Sequence, residues 1–181
     1  MFFAFKEAAT NVSLAGTDPA DVKQYELYNN GVKSTYFVDI TKGDEPIGAG
    51  GKGKFFTLVQ IDTKNGQPIY KATEITNLTD PKMDSYTAGG VCSIDNTYTY
   101  AGTTNLNSAY IGDTVKRVMN VTNAVVVDCE YNADTCTHDE IKSVADLAAA
   151  ISGNTAYATN LRVAIVNDGV NVSVIYVTAA H

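Results

Sequence analysis

Three stretches of the chain share one pattern: a β-rich arm, a tight Asn-Gly or Asp-Gly turn, and a second β-rich arm. They are YELYNNGVKSTYFVDI around Asn30-Gly31, FFTLVQIDTKNGQPIYKATEI around Asn65-Gly66, and LRVAIVNDGVNVSVIYV around Asp168-Gly169. Asn, Asp and Gly tolerate the positive φ that matches strand twist, so each stretch predicts an antiparallel hairpin. In the last one, Val163, Ile165, Val170, Val172, Val174 and Tyr176 read as a face turned to a core, with polar Asn171, Ser173 and Thr178 interspersed. That pattern predicts a sheet with one buried side and one wet side.

Further strands are predicted in FFAFKEAA at the start, in CSIDNTYTYAG, over 113–120 and in AVVVDCEY. The exception is IKSVADLAAAISG, where Val144, Leu147, Ala148 and Ile151 recur at helical spacing, with Ser143 placed to cap the start and Gly153 to end it. A second helix-start pattern at Thr17 to Asp21 runs so soon into Asn29-Asn30-Gly31 that a single turn leading into the first hairpin is predicted instead. The expected fold is therefore mainly β, with antiparallel hairpins forming a sandwich or barrel-like modules and one short helix near 143–152. The polar segment NLTDPKMDSYTAGG, 77–90, divides an N-terminal β-rich module, 1–85, from a C-terminal one, 86–181, or is a long loop within one continuous domain.

Composition adds exclusions. Of 181 residues, 45% are apolar and 18% charged, which is globular usage, and no apolar run is long enough for a membrane-spanning helix. A soluble chain without membrane insertion is expected. The net charge of -7 is shared unevenly, -2 over 1–90 and -5 over 91–181. Nucleic acid is not expected as a partner, because phosphate binding needs a basic stripe.

The stretch GAGGKGKFF, Gly48 to Phe56, comes within one residue of the phosphate-cradling pattern G-x-x-x-x-G-K-[ST], with Phe55 where a hydroxyl belongs. The segment before it is polar and holds Pro46, and the segment after it has the pattern of a hairpin rather than a helix. Without a strand feeding the loop, a helix leaving it or a metal-ligating oxygen, it reads as a glycine-rich turn, with Lys52 and Lys54 as solvated charges.

The densest polar cluster is DCEYNADTCTHDE, 128–140. Cys129, Cys136 and His138 with a carboxylate could hold zinc, but six residues between the cysteines is wider than the usual knuckle. A Cys129–Cys136 disulfide or free thiols in a solvated loop are the alternatives, and Cys92 is left over. With His138 and His181 the only histidines, a nucleophile–base–acid set could use only His138. Tyr25, Tyr28 and Tyr36, or Tyr98, Tyr100 and Tyr110, could stack on sugar rings, although tyrosine in strands is more often half-buried. Four glycan-acceptor triplets begin at Asn11, Asn77, Asn120 and Asn171; in a chain rich in Asn and Thr they arise by chance. No catalytic, cofactor-binding or metal-binding residue is assigned, and no cofactor is expected.

TVKRVMNVTNAVVVDC, the acidic turn after it, SVADL, and the closing NLRVAIVNDGVNVSVIYVTAA resemble the β-rich modules of long surface proteins of clostridial and related Gram-positive bacteria, which carry surface-layer homology repeats elsewhere. The resemblance covers 113–180 best and 54–76 weakly. It implies an extracellular, non-catalytic structural or adhesive module at the cell surface, acting as spacer, lattice element or interaction domain. Its partners would be other surface modules, itself, or a glycan, and the encoding gene would be longer, with a signal peptide upstream. A phage or particle structural protein and a carbohydrate-binding module are the alternatives.

Overall fold

The computed structural model describes residues 1–5, 10–11, 14, 16–18, 20–48, 53–76, 90–94, 109–110, 118–119, 121–136, 139–153, 162–168 and 171–179. Among the described residues the protein is mainly β with one short helix, and the chain divides into two units, Met1–Asn77 and Leu78–His181.

The N-terminal unit contains β1 (Phe2–Ala4), β2 (Thr10–Asn11), β3 (Val22–Asn29), β4 (Val32–Asp39), β5 (Lys54–Lys64) and β6 (Gln67–Glu74). Two of the predicted hairpins are here. Asn30 and Gly31 turn β3 into β4 with φ of 49° and 82°, and Asn65 and Gly66 turn β5 into β6 with φ of 50° and 74°. Positive φ at both central residues is the mirror-image turn that lets strands pair without splaying.

Closure depends on the shortest strand of the ring. β1 pairs antiparallel with β5, Phe2 opposite Phe56, and with β3, Phe2 opposite Asn29. The ring β1-β5-β6-β4-β3 is thereby a closed five-stranded barrel, with β2 added beside β3. One seam departs from the antiparallel expectation: β4 and β6 run parallel, with Phe37 opposite Ile69 and Val38 opposite Tyr70. Because β4 and β6 are separated in sequence by β5, this seam lets two hairpins close into one ring instead of stacking as a sandwich.

Alternation decides what fills the barrel. Ala4, Tyr25, Leu27, Val38, Phe56 and Ala72 are buried together, with Phe2, Tyr36, Leu58 and Tyr70 packed against them. Tyr36 meets Phe2 and Tyr70 edge-on at 5.1 and 5.7 Å, a geometry that suits the ring quadrupoles. The alternate residues Phe3 and Phe55 pack on each other at 4.9 Å and are also buried, so the barrel is covered on part of its outside as well.

The loop after β4 is held against the barrel. Glu45 Oε1 accepts the Tyr25 hydroxyl at 2.6 Å and the Lys23 ammonium at 2.9 Å, and Ile47 packs on the core. Gly48 and Gly53 have a packing reason: an added Cβ would run into the Phe5 carbonyl at Gly48 and into the Phe3 ring at Gly53. Lys54 opens β5 and pairs with Glu74 across the hairpin at 2.9 Å, so it is an ion-paired strand residue rather than a solvated one.

The C-terminal unit has β7 (Gly90–Ile94), β8 (Ala109–Tyr110), β9 (Val118–Met119), β10 (Val125–Asp128), α1 (Val144–Gly153), β11 (Arg162–Asn167) and β12 (Val172–Ala179). Its main sheet has the order β10-β12-β11-β7, while β8 and β9 pair separately. The third predicted hairpin joins β11 to β12, but β10 lies parallel to β12, Val125 opposite Val174. The expectation of one wet side is corrected here. Ser173 is exposed, yet Ile175, Val177 and Thr178 are buried along with Val172, Val174 and Tyr176. Flanked on both edges by other strands, β12 is a central strand covered on both faces, which the unbroken VIYV run records.

The predicted helix is present. Ser143 Oγ accepts the Asp146 N–H at 3.1 Å and donates to Asp146 Oδ2 at 2.8 Å. The Ser143 hydroxyl thus satisfies a backbone N–H that the first turn leaves open and is itself held by the Asp146 carboxylate.

Candidate functional site

Two polar regions compete for a functional role. The first is the acidic loop after β10, where sequence density is highest. Asp128 Oδ1 accepts the N–H groups of Glu130 and Tyr131 at 3.2 and 3.0 Å, and Oδ2 accepts that of Ile141 at 3.2 Å. One carboxylate thus ties the two ends of the loop together. Asn132 Oδ1 takes the Asp134 N–H at 3.0 Å, and Cys136 Sγ takes the Asn132 N–H at 3.0 Å. Cys129 is buried, and both it and Cys136 are free thiols. No group of metal-ligating side chains forms among the described residues; His138 lies outside them.

The tyrosine platform near the first hairpin does not form an outer face. Tyr25 and Tyr36 point into the barrel, and Tyr28 sits 6.5 Å from the Phe3 ring. Burial, joined by the hydrogen bond to Glu45, raises the Tyr25 phenol far above its ordinary range. The same bond, helped by Lys23, holds the Glu45 carboxyl below its ordinary value. The second group, Tyr98, Tyr100 and Tyr110, has no described side chains.

The second region is an open cleft of about 560 Å³ on the outside of the barrel. Three parts of the chain build it. One wall is the turn before β3, where Gly16 takes a φ of 84°, the Thr17 hydroxyl donates to the Leu14 carbonyl at 2.9 Å, and Asp18 Oδ1 accepts the Ala20 N–H at 2.9 Å. The opposite wall is the far end of the β5–β6 hairpin. There the register slips between Gln60 and Asp62, leaving Ile61 as an extra residue. A bulge of this kind bends the arm that carries it. The floor is Val22 and Ile69, buried to 3% and 2% exposure, between the two walls.

Strand register places the charges. Val22 lies opposite Asp39, Val38 lies opposite Tyr70, and Lys71 lies opposite Val59, so Asp39 and Lys71 come next to each other on neighbouring strands. Tyr70 and Ala72 point into the barrel core, so Lys71 faces outward with Ile69. Four aspartates and three lysines line the cleft.

Most of these carboxylates are engaged locally. Asp39 Oδ1 accepts from the Thr41 N–H and hydroxyl at 2.9 and 2.6 Å. Asp62 takes the Thr63 N–H at 2.7 Å and the Lys64 ammonium at 3.1 Å, which together hold its carboxyl below the usual range. Among the described residues, the side chains of Asp21, Lys42 and Lys71 have no hydrogen bond or ion pair, and all three are exposed. The cleft therefore presents two uncommitted ammonium groups and one uncommitted carboxylate above an apolar floor. The sequence marks none of the three as a site residue, because they come from the turn before β3, the loop after β4 and the strand β6, with no fixed spacing.

A scan against protein-family models finds no match, and searches of curated proteins and of solved structures find none either.

Proposed function

We propose that this chain is a non-catalytic interaction module of an extracellular, bacterial cell-surface protein, and that the cleft on its N-terminal barrel is where it meets its partner. The observation that carries this is the convergence of Asp21, Lys42 and Lys71 on one open cleft with their charges unspent.

Connectivity supports the location. Counted from the N-terminus, the ring strands run first-second-third-fifth-fourth and back to the first, with the third and fifth parallel. That is the order of the oligonucleotide- and oligosaccharide-binding (OB) barrel, which takes ligands over its second and third strands, between the first-to-second and fourth-to-fifth loops. The cleft occupies the corresponding place, an analogy of architecture that leaves the ligand to be argued from the side chains.

Chain geometry favours contact over extension. Phe2 and Glu74 both lie opposite Phe56, one strand to either side of it. With strands about 4.8 Å apart, the barrel's two ends emerge about 10 Å from each other. A body attached that way hangs from its chain and adds little length, so an interaction role is preferred to a spacer. The surface location rests on the sequence resemblance of 113–180.

The test is to immobilise the whole chain and challenge it with a glycan array and with soluble copies of itself. Retention of one of these, abolished by Lys71→Glu, is expected. Retention indifferent to that reversal, or recovery of the native protein from the cytosol of its source cells, would overturn the proposal.

A further inference from the structure

We infer that the cleft takes an acidic saccharide, a sugar unit bearing a carboxylate, held by Lys42 and Lys71 at its anionic group and by Asp21 at its hydroxyls. This rests on the reading of the cleft as the contact site and adds the chemistry of what fills it.

Three features select this class. Lys42 and Lys71 are uncommitted ammonium groups reaching the cleft from a loop and a strand. Lysine acts on an anion as a compact point charge, without the planar fork that arginine offers, so it suits a single charged group approached from two sides. Asp21 offers a carboxylate that can only accept hydrogen bonds, which calls for donors on the same ligand, and vicinal hydroxyls supply them. Val22 and Ile69 form the floor between these groups, with Ile61 on the hairpin side. An apolar floor suits the C–H face of a pyranose ring. The volume, about 560 Å³, lies inside the range of about 300 to 1,000 Å³ found for small-ligand sites.

Charge separates this class from nucleic acid. Four aspartates against three lysines give the lining a balance of -1, in a chain of net charge -7. A phosphate backbone needs several cations in a row and gains from releasing counterions to each. A saccharide with one carboxylate per one or two rings meets the two free lysines and sets its neutral portion beside the aspartates.

The experiment is a ¹H–¹⁵N titration of the whole chain with a glucuronate-terminated disaccharide, its glucose-terminated counterpart and a thymidylate pentamer. Lys42→Gln, Lys71→Gln and Asp21→Asn are titrated alongside, each checked for an unchanged thermal transition. Expected are shifts at Thr17, Val22, Ile69 and Lys71 with the glucuronate ligand, at least tenfold weaker binding of the glucose counterpart, and at least fivefold weakening of the glucuronate ligand in each variant. Equal binding of both sugars at the cleft would overturn the acidic class while keeping the contact site. Preferential binding of the pentamer there would overturn the saccharide. Shifts confined to other residues, or none with any ligand, would overturn the inference; the site itself falls if retention of glycans and of soluble copies of the chain is also indifferent to Lys71→Glu.

Discussion

The acidic loop of the C-terminal unit and the cleft of the N-terminal barrel are both rich in charge, and they differ in where that charge goes. In the loop, Asp128 spends both oxygens on three backbone N–H groups, and Asn132 and Cys136 close smaller turns within it. In the cleft, Asp39 and Asp62 are occupied by their own neighbours, but Asp21, Lys42 and Lys71 are not. The densest cluster in sequence therefore spends Asp128 on its own backbone and leaves the Asp134 and Asp139 side chains exposed without a partner among the described residues, while the uncommitted groups of the cleft stand where the sequence shows no cluster. A polar group bound within its own fold holds that fold in place. One left open to solvent is available to something else.

The largest test of this contrast concerns the barrel that carries the cleft. Gly48→Ala drives a methyl group into the Phe5 carbonyl, backbone that cannot step aside, and should cost about 3 kcal/mol in urea denaturation. Next, Asp128→Ala leaves three N–H groups without their acceptor and should destabilise the chain by about 2 kcal/mol. If it cost no more than a surface substitution, the loop would not be self-bound and the comparison would fail. Tyr25→Phe removes the hydroxyl from Glu45 and should cost about 1 kcal/mol.

Acid sharpens the same point. The folded protein holds the Glu45 carboxyl below its ordinary value of 4.5, so its ionised form stabilises the fold at neutral pH. That contribution is present above pH 4.5 and fades as pH falls through the lower folded value. Glu45→Gln should lower stability at pH 7 and flatten its decline toward pH 3, read from melting temperature against pH. Smallest of all, Asp21→Asn, Lys42→Gln and Lys71→Gln should each change stability by less than about 0.5 kcal/mol, since none has a partner to lose.

Local features of the fold were legible in the residues. Asn30-Gly31 and Asn65-Gly66 announce their turns by the backbone angles they tolerate, and Ser143 announces the start of α1. Ring closure was not legible, because it depends on a three-residue strand pairing on both sides, and nothing in FFA states that. A partial signal was there in the doublets Phe2-Phe3 and Phe55-Phe56. Neighbouring strand residues face opposite ways, so two large apolar side chains in succession imply cover on both faces. The parallel seams between β4 and β6, and between β10 and β12, are long-range choices that hairpin signals do not encode. The cleft was hidden for a related reason: Asp21, Lys42 and Lys71 become neighbours only through register.

The nearness of Phe2 to Glu74 has a practical consequence. Residues 1–76 could be spliced into an exposed loop of a host protein without prying the host's strands apart, since the graft spans a gap of about two strand spacings, roughly 10 Å. Displayed in that position, the barrel would turn its charged hollow outward from whatever carries it.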